Sequence, residues 1–266
     1  MKELYEELFG QYDVKLTKLD PSIFRIRPSS IESFFNFPAE WCREFILKQE
    51  RPFKGSTSTV LGTVLHKCYE YAMLGKSLKK EDIDACIIEY DRLNPAICNP
   101  EEIIQVYPSI LEEVLNTFIH PLASKSVAKY TEQEFIYEVQ PNYVVRGIAD
   151  LQYGTIISDY KNVSTKPNIE SIPFGYKMQL LCAALALKRQ GKLIDTIEIV
   201  YGVRPTKTLG PRCFVVREII NPIMIQQVTD VLNLIAGSVE LVKTKPELIN
   251  YIFKSMKLEG ERDNVS

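Results

Sequence analysis

Asp150, Asp159 and Lys161 are the residues of this chain whose types and spacing could do chemistry together. Between the two acids lies Gly154-Thr155, a pair suited to a two-residue hairpin loop with glycine at its first central position. With that turn, Tyr153 pairs with Ile156, Gln152 with Ile157, Leu151 with Ser158, and Asp150 with Asp159. Directly opposed side chains in an antiparallel pair have Cβ atoms about 5 Å apart. Two carboxylates at that separation repel each other, and a bound divalent cation reverses the sign of the interaction. Strand alternation places Lys161 on the Asp159 face and turns Tyr160 away. Solvated charges on a surface hairpin are the ordinary alternative. Ile156-Ile157 argues instead for a buried sheet, where unpaired acids are costly.

Three further residues sit at helical spacing. His66 lies beside the apolar stripe of a helix expected over 60–74, one turn after Gly62, with Glu70 a turn further on to orient the ring. A lone helical histidine is more often structural, and His120, before Pro121, is read that way. Tyr176 and Gln179, three apart, share a face of a helix expected over 172–190. The six cysteines contain no CxxC pair and read as reduced, mostly buried thiols.

The elements that must position these groups follow from the patterning. Pro28-Ser29-Ser30 opens a helix, with Ser29 or Ser30 as N-cap, that breaks near Pro38; 39–49 is helical again. Helices over 80–93 and 100–119 make 74–125 a helical insertion. From about 133, Phe135, Tyr137 and Val139 alternate with polar neighbours, and 143–153 and 156–161 continue as strands. Strand character returns at 194–203 and 213–220, and 222–256 is helical. The expectation is one domain over 1–266: N-terminal helices over 26–73, the insertion 74–125, a mixed α/β (α+β) core over 130–220 and C-terminal helices over 221–266.

The net charge of −2 lacks the basic surplus of a typical nucleic-acid binder, although a hydrolase can place its basic residues locally. No apolar run is long enough to span a membrane, and Met1–Glu7 is too polar for a secretory signal, so a cytoplasmic location is expected.

Asp150 followed by Asp159-Tyr160-Lys161 resembles the PD-(D/E)XK nuclease signature, and Gly147-Ile148-Ala149-Asp150 is similar to the glycine-containing form of its RecB-like branch. Leu61-Gly62-Thr63-Val64-Leu65-His66 resembles that branch's helical histidine motif, and Tyr176-Lys177-Met178-Gln179 the helix after the signature lysine. Pro28–Ile31 with Trp41–Phe45 resembles its N-terminal segment, so the likeness spans about 26–190. The chain departs from the branch at Ala183, where a tyrosine is common, and in lacking a C-terminal cysteine triplet, which implies a member without an iron–sulfur cluster.

The resemblance implies a restriction-endonuclease-like core, a central mixed sheet flanked by helices. It implies Mg²⁺ or Mn²⁺ held by Asp150, Asp159, His66 and the Tyr160 carbonyl, with the imidazole shifting preference toward Mn²⁺. Lys161 would orient or deprotonate the attacking water and stabilise phosphate charge, and Gln179 and Tyr176 would hold the lysine or a phosphate. Arg25, Arg27, Arg146, Lys177, Arg204 and Lys207 are candidate DNA contacts. The implied activity is that of a bacterial or phage-encoded exonuclease acting on single-stranded or end-containing DNA in recombination, repair or phage DNA processing, with a recombination or replication protein as a possible partner. A structure-specific or restriction-type endonuclease and a catalytically silent DNA-binding subunit are the alternatives.

Overall fold

The computed structural model describes residues 17–49, 62, 65, 66 and 130–249. The expected insertion 74–125, Glu70 and His120 lie outside the described residues.

The strands are β1 (Phe24–Ile26), β2 (Tyr130–Gln140), β3 (Tyr143–Tyr153), β4 (Ile156–Val163), β5 (Thr196–Val203) and β6 (Arg212–Ile219). They form one mixed sheet in the order β1-β3-β4-β5-β6, with β2 paired to β3. The β2–β3–β4 meander is produced by turn chemistry. Asn142 has φ 68° and Gly154 φ +54°, so each turn carries a residue tolerant of the left-handed region. Thr155 has no positive φ, which matches the turn with glycine at its first central position. The hairpin register is the one the turn demands: Tyr153 opposes Ile156, Gln152 opposes Ile157 and Leu151 opposes Ser158.

The ladder stops there, one pair short of the expected Asp150–Asp159 step. On its other edge β4 pairs in parallel with β5 over its whole length, Ile156–Val163, while β3 stays paired with β2. The edge of β3 away from β2 is thus divided: β1 takes residues 143–145, β4 takes 151–153, and residues 146–150 have no ladder partner on it.

Helix α1 (Ile31–Asn36) follows a 3₁₀ turn at Pro28–Ser30, and α2 (Pro38–Trp41) runs into a π-helical stretch at Cys42–Ile46. Neither serine caps through its side chain as the sequence suggested. Ser30 Oγ donates to the Arg27 carbonyl at 2.8 Å instead. Helix α3 (Phe174–Arg189) is the crossover that parallel β4 and β5 require. Leu180 through Leu187 are all buried in it, the pattern of a helix covered on every side. Helix α4 (Pro222–Thr244) starts at Asn221, whose side chain accepts from the Met224 amide at 2.9 Å. It ends at Thr244, before Pro246, because proline cannot extend a helix, and the part of the expected 222–256 helix beyond 249 lies outside the described residues. Its buried stripe, Val228, Leu232, Ile235 and Val239, packs into the same core as α3. Leu232→Ala should cost about 2–5 kcal/mol. No helix among the described residues is long and apolar enough to cross a membrane.

Candidate active site

Asp150 and Asp159 flank the point where β3 and β4 part. β4 and β5 are in parallel register, so Asp159 and Lys161 share a face with Ile199 and Tyr201, and Ser158 and Tyr160 share the other with Glu198 and Gly202. The rear face is close-packed. A Cβ on Gly202 would lie 2.0 Å from the Tyr160 hydroxyl, so only glycine lets Tyr160 bury there. On β3, a Cβ on Gly147 would lie 2.7 Å from the Phe135 ring. Glycine at that position lets the strand carrying Asp150 approach β2 and the 3₁₀ turn.

Each acid meets a cation. His66 Nε2 lies 3.0 Å from Asp150 Oδ2, and Lys161 Nζ lies 2.6 Å from Asp159 Oδ2. The two bare, opposed carboxylates expected from the sequence are therefore partly compensated. Ligand atoms of His66, Asp150 and Asp159 all lie within 4.8 Å of one another. The Lys161 ammonium also stands 5.0 Å from the centre of the Tyr176 ring, a cation–π distance. Asp159 is 2% exposed, and its Oδ1 has no hydrogen-bond partner.

The electrostatics follow from burial and crowding. Burial, and then the neighbouring Asp150 carboxylate, raise the Asp159 pKa well above the usual carboxylate range. Burial also opposes the charge on Asp150, but His66 outweighs it and holds Asp150 below that range. Burial works against a charged His66, yet Asp150 pushes its pKa up to about 9. Lys161 is raised against burial by Asp159 and Asp150, so it stays an ammonium. This favours charge stabilisation over proton abstraction for the lysine.

The structure brings His66, Asp150, Asp159, Lys161 and Tyr176 together. Gln179, one turn past Tyr176, is half-buried and makes no hydrogen bond among the described residues. The Tyr160 side chain points to the rear face, leaving only its backbone for the implied role. Of the basic candidates, Lys177 is tied to Glu218 at 2.7 Å and Arg204 Nε donates to Asn162 at 3.2 Å. Arg25, Arg27 and Arg146 lie together. Cys42, Cys182 and Cys213 are unbridged thiols, and burial pushes Cys42 up to about 11.

Sequence reasoning missed Tyr201. It is 1% exposed, and its hydroxyl has no hydrogen-bond partner. Burial first, then Tyr176 and Asp159, push its pKa up to about 12, so it is a neutral donor facing the site. Only the β4–β5 register, which places it beside Lys161, could have revealed it.

Residues 25–234 match the family model of the PD-(D/E)XK nuclease superfamily. The chain belongs to that superfamily. Among solved structures it is similar to a crystal structure of a protein described as a candidate exonuclease from Eubacterium rectale. That match has a TM-score of 0.57 and 10% identity, covering 92% of this chain and 86% of that one. It also matches a crystal structure of LHK-Exo in complex with dAMP, with a TM-score of 0.32 and 13% identity over 72% of this chain and 100% of that one. No curated protein matches the sequence. The chain is thus a PD-(D/E)XK nuclease with a mixed sheet flanked by helices.

The donor set fits a divalent cation. Two carboxylates are held together against their own repulsion, an imidazole nitrogen completes a three-sided cluster, and one buried carboxylate oxygen has no donor.

Proposed function

We propose that the chain is a metal-dependent DNA exonuclease whose site is built from His66, Asp150, Asp159, Lys161, Tyr176 and Gln179. The observation that carries this reading is the His66–Asp150–Asp159 cluster with Lys161 ion-paired at its edge. His66, Asp150 and Asp159, with the Tyr160 carbonyl, would hold Mg²⁺ or Mn²⁺. When bound, the cation supplies Lewis acidity toward the scissile phosphodiester and acidifies water.

The chain's own groups supply the rest. Asp159, buried and crowded by Asp150, must give up its proton to serve as a ligand, as must His66, so binding releases protons. Lys161, held as an ammonium by Asp159 and seated on the Tyr176 ring, offsets charge developing on the phosphate. Tyr201 offers a neutral O–H on the same face. Gln179 would reach a phosphate or the lysine once DNA is in place.

The exonuclease activity rests on the resemblance to the RecB-like branch, and the named exonuclease of the same fold supports it. Recombination, repair or phage DNA processing, with a recombination or replication protein as partner, is the matching setting. The test is digestion of end-labelled linear DNA, single- and double-stranded, beside a covalently closed circle, with Mn²⁺, Mg²⁺ or EDTA. Metal-dependent release of nucleotides from linear DNA alone is expected. Cutting of the circle would make the enzyme an endonuclease, and binding without cleavage would make it a silent subunit.

A further inference from the structure

One face of β1 and β3 carries a second charge imbalance, opposite in sign to the first. Arg25 is paired with Val144 in the parallel β1–β3 ladder, while Phe24 and Ile26 pair with Tyr143 and Val145 and enter the core. Arg25 therefore stands on the other face. The β2–β3 register is unbroken from Val144 to Gln152, so Arg146, Ile148 and Asp150 alternate onto that same face, with Glu134 opposite Ile148.

Three guanidinium groups lie within electrostatic range of one another there, with one carboxylate. Glu134 Oε1 accepts from Arg146 Nε at 2.7 Å and lies 2.6 Å from its Nη2, and Glu134 Oε2 accepts from Thr17 Oγ1 at 2.7 Å. Glu134 is thereby committed to Arg146 and Thr17. Arg25 has no acid of its own among the described residues, and its Nε is buried with no hydrogen-bond partner. Its electrostatic neighbours are two more cations, Arg146 and Arg27, and one anion, Glu134, which is already engaged by Arg146 and Thr17. Arg25 is half-buried and Arg27 exposed, so an anion can reach both. Arg27 is held in place over the Phe45 ring at 5.4 Å.

We infer that Arg25, Arg27 and Arg146 form a binding site for a backbone phosphate of the nucleic-acid substrate, separate from the phosphate that is cut. This rests on the DNA reading given above. Clustered guanidinium groups short of an anion repel one another, and a phosphate, which they bind through forked N–H donors, reverses the sign. Arg146 precedes Asp150 by four residues on one strand face, about 13 Å at roughly 3.3 Å per residue. A phosphate bound at Arg25 and Arg146 therefore lies further along the strand whose scissile bond is at Asp150.

The test uses the full chain in EDTA, so that DNA is bound and not cut. Anisotropy of a labelled single-stranded oligonucleotide gives the slope of log affinity against log salt. Each lost phosphate contact reduces that slope by about one. Arg25→Gln should lower it by about one and Arg25→Gln with Arg27→Gln by about two. Arg25→Lys, which keeps the charge, should hold the wild-type slope. Equal slopes in wild type and folded Arg25→Gln overturn the site. A second measurement separates the site from the DNA reading: thermal melts with inorganic phosphate against chloride at matched ionic strength. Phosphate should stabilise the wild type more than Arg25→Gln. If it does while the wild type binds no oligonucleotide, the nucleic-acid ligand is overturned together with the reading it rests on.

Discussion

Glu198 and Asp159 are carboxylates on adjacent strands, 0% and 2% exposed, on opposite faces of the same strand pair. Glu198 is saturated. It accepts from Tyr153 at 2.6 Å, Ser158 at 2.7 Å and Arg217 at 2.6 Å. Asp159 has Lys161 at one oxygen, nothing at the other, and a second carboxylate beside it. Burial is the same; satisfaction is not. A buried carboxylate with its hydrogen bonds complete joins strands, whereas one left short of donors beside another acid is poised for a cation that is not part of the chain. The Glu198 cluster pins the hairpin end of β3, β4 and β6 to β5 from behind, so the front of β4 is held rigid where the site is strained.

The largest effect that could break this comparison is on turnover. Asp150→Asn, Asp159→Asn and Lys161→Ala should each lower cleavage at least about 10³-fold while the chain stays folded, because each supplies a separate part of one constellation. Near-normal rates in a purified variant would remove that residue from the site.

On the rear face the loss should be in stability. Glu198→Ala leaves two buried hydroxyls and a guanidinium without their acceptor, and should cost about 3 kcal/mol in urea denaturation. A variant as stable as wild type would mean the network holds nothing.

Metal sharpens the contrast next. Mn²⁺ at a hundredfold excess over its Kd should stabilise the wild type by ~2.7 kcal/mol. Asp150→Asn should lose that shift and Glu198→Gln keep it, as thermal melts will show. Equal shifts in all three would put the metal elsewhere.

Acid–base behaviour gives a smaller signature. His66 has its pKa raised to about 9 against 6.5 unperturbed, so its contribution is complete below 6.5 and lost as pH rises toward 9. Asp159, raised as well, is also stabilising when protonated and loses that contribution as pH rises. Asp150 is depressed, so its contribution is already complete above the ordinary carboxylate range and stays flat in this window. Metal-free melts should therefore decline between pH 6.5 and 9, and more shallowly in His66→Asn. An identical decline in that variant would show that another group titrates.

The smallest effect should come from Tyr201→Phe. Deleting a buried hydroxyl without a partner should leave stability unchanged or raise it by about 1 kcal/mol, while lowering turnover and leaving KM in place. A marked loss of stability would show that the hydroxyl is structural.

The parts of this molecule legible in the sequence were those set by local chemistry. Gly154-Thr155 dictated the hairpin register, and the apolar periodicity that predicts a helix over 172–190 marked the crossover helix to within two residues of its observed ends, Phe174 and Arg189. What escaped depended on distant partners. Strand β1 is three residues long and exists because it pairs with Tyr143–Val145, far along the chain, so no periodicity could announce it. The ladder's stop before Asp150 is not announced by any local signal, and the roles of Tyr201 and Glu198 depend on which strand face each takes. Ser30 stands at the N-cap of α1 as read, but its hydroxyl bonds backward to Arg27 rather than to the helix it precedes.

The long-range pairing of β1 with β3, together with the insertion of β5 beside β4, has a consequence for how the protein is made. His66, Asp150 and Asp159 come from separate stretches, and β4 gains its second neighbour only when Thr196–Val203 has been synthesised. Until then Asp159 and Lys161 sit on a stretch of strand with no ladder partner on either edge, without Tyr201 beside them. A growing chain therefore carries His66, Asp150, Asp159 and Lys161 for the stretch between Lys161 and Val203 without the finished blade. The cell that makes it meets an active enzyme only when nearly the whole core has left the ribosome.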